Sequence, residues 1–364
     1  MRPEPPEDPK AYRRWLMRRF GLPALFVIAL FVVLWMRQGD AATDPWQTAL
    51  SGPTMGTTWT LKVVTSGKPE VAAVKRLRDA AAHAVAAVNT SMSTYQADSE
   101  LSRFNASAST EPFGVSAMLL AVLVEAQATT AVTGGAFDVT VGPLVNAWGF
   151  GPKKDTPAPT GAELAVLQAR VGADKLTVDV SGATVTKART DVYVDLSAIA
   201  KGYGVDQMAA ALDRLGYTNY MVEVGGEVRA KGRNKAGETW RIGVEVPVAS
   251  AQRRVQTIVP LDGRSMATSG DYRNYIERDG KRLSHTIDPR TGRPVEHTAA
   301  SVTVVSETCM KADALATALN VLGPDAGMAL AQAKGWAVLM LVHEGDGFVE
   351  RKTAAFEALT VPSP

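Results

Sequence analysis

Four arginines, Arg13, Arg14, Arg18 and Arg19, stand directly ahead of an apolar run at 20–36 that only Gly21 and Pro23 interrupt. As a helix this run would span roughly 25 Å, slightly short of a bilayer core of about 30 Å. Basic residues ahead of an apolar segment hold that end in the cytoplasm and send the remainder across. The expected division is therefore a basic leader at 1–19, a membrane segment at 20–37, a polar linker at 38–49 and a folded body at 50–361. An uncleaved anchor and a cleaved signal peptide are the two main readings, with a buried core helix as the bland one. The long leader and the weak cleavage candidates Gly39 and Ala41 favour a single-pass inner-membrane anchor with the body in the periplasm. That body must fold without an intrachain disulfide, because Cys309 is the only cysteine. It also lies far from the apolar run, so lipid attachment there is chemically excluded.

Hydrophobic content of 46% and charged content of 21% describe a folded chain, and 364 residues suffice for a sizeable core. A formal net charge of +2, with much of the basic excess in the leader, leaves no footprint for nucleic acid. Four histidines and one thiol leave little material for a Cys/His zinc site.

From about residue 50 the chain alternates helix-like and strand-like stretches without repeats. Val71, Val74, Leu77, Ala81, Val85 and Val88 recur at helical steps, with His83 on the polar side. Ser116 caps a second predicted helix that Gly134-Gly135 stops. A third spans 203–215 and a fourth 310–323. Strands are predicted at 192–196, 220–224, 240–246, 301–305 and 336–342. Asp279-Gly280 signals a hairpin between 275–276 and 283–287. The segment 151–160 reads as a surface loop. Hairpins mixed with helices imply an α+β or mixed α/β fold rather than a parallel sheet.

The familiar phosphate loop, the dinucleotide fingerprint and the zinc-protease and nucleophile-elbow motifs are all absent. Three weaker clues remain. Asp313 and Thr317 are four apart on one helix face, a hard-oxygen pair suited to Mg²⁺, although Asp313 also suits the helix dipole alone. The run from Asp195 to Gly202 joins an extended stretch to a helix start, a natural seat for phosphate or simply a capped helix. His285, sharing a face with Leu283 and Ile287, is either a general base or a satisfied strand histidine. His297 and His343 invite only the structural reading.

Taken together, several runs resemble the ApbE family of FAD:protein FMN transferases over about 51–341. They are Gly52-Pro53-Thr54-Met55-Gly56-Thr57, Met92-Ser93-Thr94-Tyr95, Ser99-Glu100-Leu101-Ser102-Arg103-Phe104-Asn105 and Gly134-Gly135-Ala136-Phe137-Asp138-Val139-Thr140-Val141-Gly142-Pro143-Leu144. The Asp195 run, Val224-Gly225-Gly226-Glu227, Ala267-Thr268-Ser269-Gly270-Asp271-Tyr272, the stretch from His285 to Pro294 and Ala312-Asp313-Ala314-Leu315-Ala316-Thr317 complete the series. The resemblance implies a bilobed α+β fold with FAD in a cleft between the lobes. It implies FAD contacts at Met55, Tyr95, Ala136, Phe137, Asp138, Asp195, Lys201 and Ile287. Mg²⁺ would be held by the Ala198 carbonyl with Asp313 and Thr317, and His285 would be the base. Some relatives carry a carboxylate where this chain has Ala316, so water would complete the shell here. The implied reaction moves FMN from FAD onto a serine or threonine in a Ser/Thr-Gly-Ala-Ser/Thr sequence of a membrane redox subunit, releasing AMP. A Mg²⁺-dependent FAD pyrophosphatase and a non-catalytic FAD-binding protein are the alternatives. This chain's own Ser181-Gly182-Ala183-Thr184 fits the acceptor pattern but reads as a turn.

Overall fold

The structure is a computed structural model that describes residues 8–17, 21, 25–29, 44–151, 156–246, 255–270, 275–278, 281–345 and 347–360. Most of the expected membrane segment, the loop positions 152–155 and the Asp279-Gly280 turn lie outside these residues. The chain divides into two units, Met1–Pro45 and Trp46–Pro364. In the first, Asp8 caps a short helix Pro9–Leu16 through the amides of Lys10 and Ala11. Residues 25–29 are helical, with Leu25, Phe26, Val27 and Ile28 exposed.

The second unit is built on one eight-stranded sheet whose spatial order follows the chain. Its strands are Trp46–Thr54, Thr57–Thr65, Tyr220–Val224, Glu227–Lys231, Arg264–Gly270, Ala299–Ser306, Ala337–Glu344 and Gly347–Lys352. Every neighbouring pair is antiparallel. The architecture is thus a mixed α/β, sheet-rich one, and the first strand starts inside the stretch expected to be linker.

Period-two patterning explains the layers. Trp59, Leu61, Val63, Val222 and Val224 turn one face toward the helices Val71–Met92 and Ala200–Arg214. Farther along, Ala267, Val302, Val304, Val338 and Met340 meet the helix Cys309–Lys334. The opposite face buries Met221, Val228, Met266, Val305 and Leu339 beneath the hairpin Trp240–Glu245/Val255–Leu261 and Phe356. A separate core gathers the helices Glu100–Ala106 and Ala117–Val132 with the three strands Phe113–Gly114, Leu176–Asp179 and Thr184–Lys187.

Several expectations are met locally. Ser116 Oγ accepts the Leu119 amide at 3.3 Å, and the following helix gives way to Gly134 and Gly135, both at positive φ. The third helix runs Ala200–Arg214. Residues 275–278 and 281–284 pair in the register Arg278↔Lys281. Ser181-Gly182-Ala183 form the tip of the hairpin that pairs Asp179 with Thr184, and Ser181 Oγ donates to Asp179 at 2.7 Å.

Others need correction. The stretch 192–196 has the alternation of a strand, with Val192, Val194 and Leu196 buried, yet it joins no ladder. The Asn105 side chain takes the neighbour's place, donating to the Val194 carbonyl and accepting its amide, each at 2.8 Å. The strand expected through 283–287 breaks at His285 and Thr286 and resumes as Ile287–Asp288. The last long helix starts at Cys309 and continues to Lys334, but at Gly323 (φ 76°) the backbone leaves helical geometry, where the sequence places its end. This helix is long and apolar enough to cross a bilayer by composition. Its residues Ala312, Leu315, Ala316, Leu319, Met328 and Ala331 are buried against the sheet, as befits a core helix.

Candidate active site

Two helix starts clasp each other. Gly202, in the first turn of Ala200–Arg214, donates its amide to Asp313 Oδ2 at 2.9 Å. Asp206 answers from the same helix, accepting the amides of Cys309 and Met310 at 2.9 Å each. Both carboxylates therefore lie where a helix N-terminus favours negative charge. Only glycine permits the approach: a Cβ on Gly202 would lie 2.4 Å from the Cys309 carbonyl oxygen and 2.8 Å from Asp313 Cβ. Gly202→Ala is expected to cost about 2 kcal/mol of stability, since backbone must move to admit the methyl. A thermal melt of the variant unchanged from the parent would contradict this contact.

Lys201, beside Gly202, pairs through Nζ with Glu227 Oε1, and Glu227 is only 3% exposed. Burial alone would discharge Lys201, but Glu227 and Asp313 outweigh it and raise its pKa. Burial pushes the Glu227 and Asp313 carboxyls up, with Lys201 opposing in both cases. Two buried acidic side chains thus share one ammonium here, and Glu227 Oε2 is buried without a hydrogen bond among the described residues. Buried hard oxygens whose ionised form lacks a full complement of positive partners fit a divalent cation. No cluster of three or more His, Cys, Asp or Glu side chains suited to a metal occurs among the described residues. A site here would combine Asp313 with the carbonyl of Ala198 and the hydroxyl of Thr317, one turn along the same helix.

Two tight hairpin tips border this helix start. Met55-Gly56 links the first two strands, with Met55 at φ 47°, a left-handed conformation that ordinary side chains adopt only at a cost of about 1–2 kcal/mol. A Cβ on Gly204 would lie 3.2 Å from Met55 Cε, so the Met55 side chain reaches the Ala200–Arg214 helix. Gly225-Gly226 forms the other tip, where a Cβ on Gly225 would meet Thr57 at 2.9 Å and Lys201 Cδ at 3.4 Å.

A second wall comes from 136–142 and 193–197. Ala136 and Phe137 are buried, and Asp138 Oδ1 accepts the Thr140 amide and hydroxyl at 2.8 and 2.6 Å. Burial raises the Asp138 pKa despite those bonds. The Asp195 amide donates to the Val139 carbonyl at 2.7 Å, tying the two segments together. Asp195 Oδ1 accepts the Ser197 amide at 2.8 Å, in the turn before the helix. Tyr95 and Tyr193 both face Asp195, and burial, then that carboxylate, raises both phenols. Tyr95 remains 69% exposed, the only large exposed aromatic ring on this wall among the described residues.

His285 occupies the bend between Lys281–Ser284 and Ile287–Asp288, its ring edge-on to Phe150 with centroids 6.4 Å apart. Ile287 anchors the bend among Leu144, Trp148 and Leu164. Thr286 Oγ1 accepts from Asn320 Nδ2 at 3.2 Å, and Asn320 belongs to the helix that carries Asp313 and Thr317. The structure thus brings Lys201, Asp313 and Met55 to one helix start and Tyr95 to Asp195. The His285 bend is fastened to the Asp313 helix.

The ApbE family profile matches residues 55–340. The chain belongs to the ApbE family. Among curated relatives, the FAD:protein FMN transferase of Vibrio cholerae is 50% identical over 312 residues, covering 85% of this chain and 92% of its own length. That of Haemophilus influenzae is 48% identical over 316 residues, with 86% and 91% covered. The solved structure of the flavin transferase ApbE from Vibrio cholerae superposes with a TM-score of 0.79 at 47% identity, covering 86% of this chain and 99% of that one. The apo flavinyl transferase ApbE of Pseudomonas stutzeri gives 0.79 at 40% identity, with 88% and 98% covered. This ApbE-family chain is accordingly a transferase.

Sequence reasoning overlooked four members of this ApbE-family site region. Glu227 was visible only as part of a glycine-rich run, and Tyr193 only as one residue of a supposed strand. Asp206 follows Gly202 by four on one helix face, and Asn320 follows Asp313 by seven on another. That helical spacing was the available signal.

Proposed function

We propose that this chain moves the FMN part of FAD onto a serine or threonine hydroxyl of another protein and releases AMP, with Mg²⁺ as cofactor. The observation that carries this reading is the single helix Cys309–Lys334, hydrogen-bonded both to the Ala200–Arg214 start through Asp313 and to the His285 bend through Asn320. The names of the relatives supply the substrate. Met55, Tyr95, Ala136, Phe137, Asp138, Asp195, Lys201 and Ile287 are assigned to FAD, which lies in a cleft between two lobes. Ala198, Asp313 and Thr317 are assigned to Mg²⁺, with water where Ala316 offers no carboxylate. Bound there, the cation supplies positive charge beside the diphosphate.

Phosphoryl transfer needs positioning and charge neutralisation more than covalent help. Lys201, steered by Glu227, adds a fixed positive charge beside the helix N-terminus. His285 accepts the proton of the attacking hydroxyl as its oxygen bonds to the FMN phosphorus. The bond from that phosphorus to the bridging oxygen breaks, and AMP departs with the electron pair.

The acceptor is read as a Ser/Thr-Gly-Ala-Ser/Thr sequence in a membrane redox subunit. The leader arginines and the exposed Leu25, Phe26, Val27 and Ile28 support an inner-membrane anchor with the catalytic body in the periplasm. A mature N-terminus near Ala42 in a soluble fraction would overturn the anchor. Flavin fluorescence on a denaturing gel, from the chain incubated with FAD, Mg²⁺ and such an acceptor, tests the reaction. The expected band is lost with a chelator. Free FMN and AMP appearing equally fast without acceptor would instead identify a pyrophosphatase.

A further inference from the structure

We infer that Asn320 is a positioning residue whose side-chain amide holds the His285 bend in register with the helix carrying Asp313 and Thr317. The inference rests on the proposed role of His285 as base.

Asn320 is fully buried on a helix whose other buried positions are mostly apolar, Ala312, Leu315, Ala316 and Leu319 among them, with Asp313 the buried carboxyl. An amide buried there must find partners or lose about 1–3 kcal/mol per unsatisfied group. Nδ2 finds them outside the helix, in Thr286 Oγ1 at 3.2 Å and, more loosely, Ser269 Oγ at 3.5 Å. Oδ1 is buried with no hydrogen bond among the described residues. Among the described residues the carbonyl half of the amide thus has no partner, while the amino half reaches the residue next to His285. Helix propensity does not account for asparagine here either, since it is a weak helix former.

The backbone at this position is also fixed from outside. The carbonyl of Asn320 would ordinarily receive the amide four residues on, but that residue is Pro324, which has none. His297 fills the gap: Nδ1 accepts the Ala299 amide at 3.2 Å, leaving Nε2 to carry the proton and donate to the Asn320 carbonyl. The ring fits because position 323 is glycine, where a Cβ would come within 2.9 Å of it. Gly323, Pro324 and His297 thus pin one helical residue, and its side chain transmits that position to the bend. Within the bend the Val295 amide donates to the Thr286 carbonyl and the Thr286 amide to Ser284 Oγ, each at 3.0 Å, and the Asn320 amide adds the link to the helix. Displacing a catalytic group by about 1 Å costs on the order of 100-fold in rate.

The test uses the full chain with FAD, Mg²⁺ and an acceptor protein. Asn320→Leu is expected to lower kcat by about 10- to 100-fold with KM for FAD within about twofold. Thr286→Val should fall in the same direction and Thr286→Ser should recover most of the loss. The double variant N320L/T286V should be no worse than the more damaged single one. Backbone amide exchange of 284–288 should quicken in Asn320→Leu. Unchanged kcat in Asn320→Leu, additive losses in the double variant, or a matching rise in KM would overturn the tether. If Asn320→Leu does not fold, the Thr286 pair decides. If the parent chain transfers no flavin, the reading of the site fails instead, and the exchange measurement still judges the tether.

Discussion

Replacing His285 by alanine is expected to lower acceptor flavinylation by about 10²- to 10⁴-fold while leaving FAD affinity within about threefold. The size follows from the role assigned to the imidazole: a hydroxyl is a poor nucleophile until its proton has somewhere to go. The selectivity follows from the location. Around the bend, Leu283 and Ile287 carry the packing against Trp148 and Leu164, and neither is disturbed when the ring is removed. Phe150 loses an edge contact worth about 1 kcal/mol, which the fold can absorb. Flavin fluorescence of the acceptor band over time gives the rate, and quenching of FAD fluorescence gives the affinity. A variant that transfers flavin at the parent rate would remove His285 from the chemistry. One that loses FAD binding in proportion would make it a binding residue instead.

Much of this fold is written in local patterns, and what escaped the sequence is long-range. The helix Val71–Met92 announces itself because Leu77, Ala81, Val85 and Val88 must share a buried face. The hairpin through Asp179 and Thr184 shows in its small turn residues. By contrast, 192–196 has the alternation of a strand, and no local rule reveals that Asn105, from a distant helix, supplies the hydrogen bonds a neighbouring strand would give. The short helix Gly161–Gln168 lacks a clear apolar period, and its one local signal is the capping box of Thr160 and Glu163. Helical spacing puts Asp313 and Thr317 on one face of their helix, a pattern that suits a cation and a helix-start carboxylate alike. The partnership of Lys201 with Glu227 joins a helix start to a hairpin tip and becomes visible only once the chain is folded. His297, a structural histidine on sequence grounds, is one, yet the carbonyl it serves is exposed only by the proline four residues beyond Asn320.

Asp313 is where the bland and the chemical readings separate most cleanly, and Asp313→Asn is the variant that separates them. The bland reading makes its carboxylate a receptor for the Gly202 amide. Asparagine keeps an acceptor oxygen in the same place, so on that reading nothing is lost. On the chemical reading the negative charge matters. Burial raises the Asp313 pKa, so the fold by itself disfavours the charged form there. Removing the charge should therefore leave the melting temperature equal or higher, because Lys201 and Glu227 then balance each other. Cation affinity should fall by about 100-fold or more, near 3 kcal/mol, and flavin transfer with it. Asp313→Ala provides the contrast: it also strips the Gly202 amide of its partner and should cost a further 1–3 kcal/mol or so of stability. Manganese titration followed by electron paramagnetic resonance reads the affinity, and a thermal melt reads the fold. An asparagine variant that binds manganese and transfers flavin like the parent would return Asp313 to the role of a helix cap.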